Sequence, residues 1–189
     1  MDVNDLKGLY AESNKRMNAA LEHVKHELAG VRTGRASVTM LDGIQVEAYG
    51  AKMPLNQLAG LSVPEPSLIV AQPFDPSQLK AIESAIRASD LGLNPANDGK
   101  VVRIPIPALT EERRKELSKH VHKLTEEGRN AVRLVRRDAN DRLKKLLKDS
   151  KISEDDERKG LEEVQRITDN HIKLIDDAQK KKDTDLLGR

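Results

Sequence analysis

Four arginines, Arg129, Arg133, Arg136 and Arg137, recur at intervals of four, three and one. On a helix turning 100° per residue they share an arc of about 100°, and Lys144 returns to that arc two turns later. Guanidinium groups gathered in this way suit bidentate contact with phosphate oxygens, a geometry that an ammonium group does not offer. Arg136 and Arg137 are adjacent, and few carboxylates stand four residues away to neutralise the group. Residues 111–150 hold 13 Lys/Arg against 8 Asp/Glu, although the whole chain carries a formal charge of only +2. The residues alone leave two readings open: a phosphate-binding face, or the solvated side of a charged helix. A second basic spot, Arg32-Thr33-Gly34-Arg35, reads by itself as cations complementing the carbonyl end of a first helix.

Other chemistry finds no constellation. The chain has no cysteine, which excludes disulfides, Cys-ligated zinc, iron–sulfur clusters and thiol catalysis. His23 and His26 lie one turn apart without a carboxylate–histidine motif, His120 and His122 do not share a helix face, and His171 falls on an apolar stripe. Gly30 and Gly34 do not open a phosphate-binding loop, because Gly34-Arg35-Ala36-Ser37 lacks the Gly-Lys-Ser/Thr ending. No Gly-x-Ser-x-Gly elbow is present, and the pairs Glu126/Glu127 and Asp155/Asp156 fit helix surface or cap positions. The expectation is a protein without catalytic residues, metal or cofactor.

The elements that must carry these residues follow from punctuation. All eight prolines lie between Val31 and Pro107, and both flanking stretches lack proline. Proline is excluded from helix interiors, so the two ends read as helical and the middle as something else. The first helix shows apolar residues at Leu6, Tyr10, Met17, Leu21, Val24 and Leu28, with Gly30 at its stop. A long helix starts after Pro107, with Thr110 as N-cap and Glu111 and Glu112 in its first turn. Its stripe runs Leu117, Val121, Leu124, Gly128, Val132, Val135, Ala139, Leu143, Leu146, and such a helix is about 60 Å long. After a break at 149–152, Ser153 and Asp156 form a capping box for a third helix with Leu161, Val164, Ile167/Thr168, His171, Ile175 and Ala178 inward.

No single one of these helices can hide its stripe, and three together can. The middle alternates: 44–49, 58–63, 68–71 and 101–104 are β-prone, and Pro76–Ala88 reads as a helix with Leu79, Ile82, Ala85 and Ile86 on one side. The expected architecture is α+β: an elongated three-helix bundle from residues 1–31 and 108–189, with a small inserted mixed α/β domain at 32–107. Two crossings, near 31–37 and 104–109, form a double hinge.

Composition agrees with a rod. Charged residues make up 34% of the chain, against about 25% in a typical soluble domain. Tyr10, Tyr49 and Phe74 are the only aromatics, too few for a base-stacking platform. No apolar run reaches the roughly 20 residues of a membrane span. The first residues lack a leader pattern, so a cytoplasmic chain is expected.

Several ordered blocks resemble the bacterial ribosome recycling factor family over nearly the full length. They are Val31-Arg-Thr-Gly-Arg-Ala-Ser37, Leu41-Asp-Gly-Ile44 with Val46-Glu-Ala-Tyr-Gly50, Ala88-Ser-Asp-Leu-Gly-Leu-Asn-Pro95, Arg103-Ile-Pro-Ile-Pro107 with Leu109-Thr-Glu-Glu-Arg-Arg-Lys115, Val135-Arg-Arg-Asp-Ala-Asn-Asp141 and Ile152-Ser-Glu-Asp-Asp156. The resemblance implies an L-shaped, transfer-RNA-like molecule, an antiparallel three-helix bundle with an inserted small β/α/β sandwich domain, that binds the post-termination 70S ribosome. With elongation factor G and the GTP which that factor hydrolyses, it would separate the subunits and release messenger and deacylated transfer RNA. It also implies contact with large-subunit ribosomal RNA through Arg32, Arg35, Arg133, Arg136 and Arg137, to which the charge pattern adds Arg129. The expected form is a monomer, with neither DNA nor membrane as partner. Three departures stand out: Ala48 where the family usually has an aromatic, Gly128 as a weak point costing the long helix about 1 kcal/mol relative to Ala, and a Lys-rich tail after Ala178. A protein-binding helical adaptor and a phosphoryl or acyl enzyme are the rival classes; the second lacks a nucleophile or metal cluster.

Overall fold

The computed structural model describes residues 1–187, so the final two residues of the stretch assigned to the bundle lie outside the described residues. In chain order the elements are α1 (Leu6–Ala29), β1 (Gln45–Ala48), β2 (Ala51–Pro54), the single turn α2 (Leu55–Leu58), β3 (Ala59–Glu65), β4 (Leu68–Pro73), α3 (Leu79–Ala88), β5 (Ala96–Asn97), β6 (Val102–Pro105), α4 (Glu111–Lys148) and α5 (Glu154–Leu187). They form two compact units, one from Met1–Arg32 with the chain from Glu111 onward, the other from Thr33–Thr110.

In the first unit α1, α4 and α5 pack as a bundle. Arg16 of α1 reaches Asp138 of α4 at 2.8 Å, and Arg142, further along α4, donates to the Val3 carbonyl at 2.6 Å, so these two helices run antiparallel. Thr125 bonds Gln179 and Arg129 bonds Asp176, which sets α5 antiparallel to α4. The α4–α5 turn is short, and Ser153 and Asp156 cap α5 reciprocally: Asp156 N donates to Ser153 Oγ at 3.1 Å and Ser153 N to Asp156 Oδ2 at 3.2 Å.

The buried stripe of α4 is Leu117, Val121, Thr125, Gly128, Val132, Val135, Ala139, Leu143 and Leu146. Thr125 takes the place expected of Leu124, because its hydroxyl is satisfied by the Val121 and His122 carbonyls and by Gln179. The same device shifts α1. Leu9 and Ser13, not Leu6 and Tyr10, occupy the centre of its buried face, and Ser13 Oγ donates to the Leu9 carbonyl at 2.7 Å. In α5 the buried set includes Gly160 and Leu186, while Leu161 and Ala178 are half-buried. Gly30 follows α1 in right-handed backbone (φ −75°), so the helix stops without using glycine's left-handed freedom.

Gly128 requires a correction. A Cβ built there would lie 2.2 Å from Val24 Cγ2. The residue that looks like a weak point of α4 is where α1 and α4 approach too closely for any side chain.

In the second unit, β3, β4, β6 and β5 form an antiparallel sheet in that order, and β1 pairs with β2 as a separate hairpin. The β-prone stretches at 58–63, 68–71 and 101–104 fall in β3, β4 and β6. The strand expected to run to Tyr49 ends at Ala48, because Tyr49 (φ 53°) and Gly50 (φ 77°) make the left-handed turn of the hairpin. A side chain at Tyr49 pays for that conformation, and its phenol donates to Asp75 Oδ2 at 2.5 Å. Ile82 and Ile86 of α3 are fully buried with Val46, Ile69, Ala71, Val102 and Ile104, and Ala48 is buried in the same core. The incoming and outgoing segments are both tied to one hairpin tip: Ala36 N donates to the Pro66 carbonyl and Ile106 N to the Ser67 carbonyl, each at 2.7 Å.

Candidate nucleic-acid interface

The long α4 places Arg129, Arg133, Arg136, Arg137 and Lys144 on one side, with Arg129 and Arg136 nearest its buried stripe. Their surroundings differ sharply. Arg137 and Lys144 are exposed, and Arg137 makes no hydrogen bond or ion pair among the described residues. Asp138, which the sequence sets beside Arg137, is taken by Arg16 of α1 at 2.8 Å. Arg136 has one long contact, Nη1 to Gln165 Oε1 at 3.4 Å. Arg133 Nη1 donates to Glu126 Oε1 and to Asn130 Oδ1, each at 2.9 Å.

Arg129 departs from the expectation. Its side chain is only 15% exposed, with Nε on Asp176 Oδ1 at 2.8 Å, Nη2 on Gln179 Oε1 at 2.6 Å and Nη1 on Glu126 Oε2 at 3.1 Å. It is a strut between α4 and α5, with Nε, Nη1 and Nη2 each on a protein acceptor, which leaves it less to offer a phosphate than its neighbours. Replacing it with alanine is expected to lower stability in urea by about 1–2 kcal/mol, since Asp176 and Gln179 lose a charge-assisted partner. Affinity of the folded variant for an RNA partner should stay within about twofold, because such an inward-facing group offers a phosphate little. A large affinity loss with unchanged stability would return Arg129 to the contact face.

Sequence reasoning missed the acceptors. None stands four residues away: Glu126 pairs with Arg129 at a spacing of three and with Arg133 at seven, and Asp176 comes from another helix. Hydrogen bonds from Arg133 and then Arg129 hold the Glu126 carboxyl below the usual carboxylate range. The sequence carries a signal for Glu126, three residues before Arg129 and seven before Arg133, and none for Asp176. Leu134, 51% exposed on α4, interrupts the polar surface beside Arg133.

Arg32 is exposed at the close of the first unit, and Arg35 is exposed in the second. Of the five histidines only His171 is buried. Its Nδ1 lies 2.8 Å from the Ile167 carbonyl and its Nε2 2.7 Å from Asn18 Oδ1, and His122 Nε2 lies 2.9 Å from Asp183 Oδ2. No group of three or more metal-ligating side chains occurs among the described residues, and none of their helices is long and apolar enough to cross a membrane.

Fold and surface together define an α+β factor in which a bundle with an arginine-lined long helix is interrupted, after its first helix, by an antiparallel insert. The family model described as Ribosome recycling factor matches residues 24–187, and the chain belongs to that family. It is 51% identical to the ribosome-recycling factor of Rubrobacter xylanophilus, covering 98% of each chain. It is 52% identical to that of Bradyrhizobium diazoefficiens, covering 98% of this chain and 95% of the relative. Among solved structures, a solution structure of the ribosome recycling factor is 42% identical with a TM-score of 0.72, each chain fully covered. A second structure presents the T. thermophilus ribosome recycling factor and E. coli elongation factor G bound to the E. coli post-termination complex. This chain is 50% identical to the recycling factor there, with a TM-score of 0.63, covering 97% of this chain and 99% of that one. The names of the family and its relatives describe no catalytic activity.

Proposed function

We propose that this chain recycles ribosomes in the cytoplasm. It binds the post-termination 70S ribosome as a monomer and, with elongation factor G and GTP, separates the subunits so that messenger and deacylated transfer RNA leave. The observation that carries this reading is the family match across nearly the whole chain, joined to a relative placed with elongation factor G on a post-termination complex. It has no catalytic group of its own; the GTPase supplies the chemical step.

Large-subunit RNA is held by Arg133, Arg136 and Arg137 of α4, with Arg32 of the first unit and Arg35 of the second as further separate contacts. The exposure of Arg137 and the weak tethering of Arg136 support this, since a guanidinium already satisfied by protein has little to offer a phosphate. The two crossings act as a double hinge, letting the insert take the push of the GTPase while the stiff bundle stays anchored. Light scattering of post-termination ribosomes mixed with the purified chain, elongation factor G and GTP tests the function. Free subunits are expected only when all are present. Splitting without the GTPase, or none with it, refutes the reading.

A further inference from the structure

Glu126 sits inside the cationic face and touches two of its arginines. Its Oε1 accepts from Arg133 Nη1 at 2.9 Å and its Oε2 from Arg129 Nη1 at 3.1 Å. Arg129 is itself pinned by Asp176 and Gln179 of α5, so the carboxylate is braced from behind. Asn130 Oδ1 accepts from the same Arg133 Nη1 at 2.9 Å, so both protons of that nitrogen have acceptors on the bundle. The opposite edge of the guanidinium, Nε with Nη2, makes no hydrogen bond or ion pair among the described residues, and the side chain is 43% exposed. Two parallel N–H groups on such an edge match two oxygens of one phosphate.

We propose that Glu126 is a positioning residue for Arg133: it holds Nη1 inward and thereby presents the Nε–Nη2 edge to a backbone phosphate of ribosomal RNA. This rests on the reading of the arginine face given above. The gain is entropic. A free arginine surrenders much of its rotamer freedom on docking, whereas here the bundle has already imposed the orientation during folding. The charge of Glu126 works in the opposite direction, because a carboxylate near a phosphate is repelled. A substitution that changes charge and orientation together would confuse the two effects.

Glu126→Gln and Glu126→Ala remove the same charge, but glutamine keeps a carbonyl oxygen where Oε1 stands and can still accept from Arg133. Binding of the full-length variants to 70S ribosomes is measured over a series of salt concentrations, with urea unfolding to establish that both are folded. E126Q is expected to bind about three- to tenfold more tightly than E126A. That gap should persist as salt rises, since it is not Coulombic, and vanish when Arg133 is also alanine. Equal affinities of E126Q and E126A, or a gap that survives Arg133→Ala, overturn the proposal. Arg133→Ala alone tells the two failures apart. Normal binding by R133A removes the contact face itself, and the positioning role with it; weakened binding by R133A beside equal E126Q and E126A removes only the positioning role.

Discussion

Alanine at position 128 is expected to destabilise the protein by about 2–3 kcal/mol, although helix propensity alone would favour it by about 1 kcal/mol. The sign is set by Val24. A Cβ on residue 128 would stand 2.2 Å from Val24 Cγ2 and 3.5 Å from Val24 Cβ. Valine has a single side-chain torsion, and within a helix one rotamer dominates, so the methyl cannot swing away freely. Relief must come from parting α1 and α4, which loosens the packing of Val121, Val132 and their neighbours. Urea unfolding of G128A measures the loss. Val24→Ala should cost about 1–2 kcal/mol alone by opening a cavity, yet should raise the stability of G128A when the two are combined. If G128A matches or exceeds the wild type, the close approach of α1 and α4 is wrong.

The second large effect concerns binding. Arg136→Ala with Arg137→Ala is expected to reduce affinity for 70S ribosomes by about a hundredfold at physiological salt, taking about 1.5 kcal/mol or more for each charge-assisted contact. Removing two of about four phosphate contacts should also flatten the slope of log K against log salt from roughly −3 to roughly −1.5. Stability should barely change, because Arg136 has one contact at 3.4 Å and Arg137 none among the described residues. No partner is left buried and unpaired. Filter binding across a salt series gives both quantities. Wild-type affinity in the double variant would mean that Arg136 and Arg137 face water on the ribosome.

The contrast between these arginines and Arg129 shows where sequence reading runs out. The stripe of α4 was legible because 38 residues of regular spacing average out single errors. The departures at Leu124 and at Leu6 and Tyr10 have one cause: Thr125 and Ser13 enter the core by donating to the carbonyl four residues back, a route that hydrophobic patterning does not score. The capping box at Ser153 was legible because both partners lie within one turn. Which arginine faces solvent was not, because it depends on the rotation of α5 against α4, which brings Asp176 and Gln179 to Arg129. In the insert, β2 and β5 carry no strand pattern in their residues. Ala51-Lys52-Met53-Pro54 has little β-propensity and is held by its hairpin register, and β5 is only two residues long.

The hairpin tip at Pro66 and Ser67, which grips both ends of the insert, bears on the order of assembly. Bringing α1 to α4 means closing a loop of some 80 residues while the insert is unfolded, but a connection of only about ten once its ends are pinned side by side, a saving of about 2 kcal/mol in closure entropy. The segment that separates the helices in sequence thus serves as a folding clasp, and a nascent chain that completes it early meets α4 with α1 already close at hand.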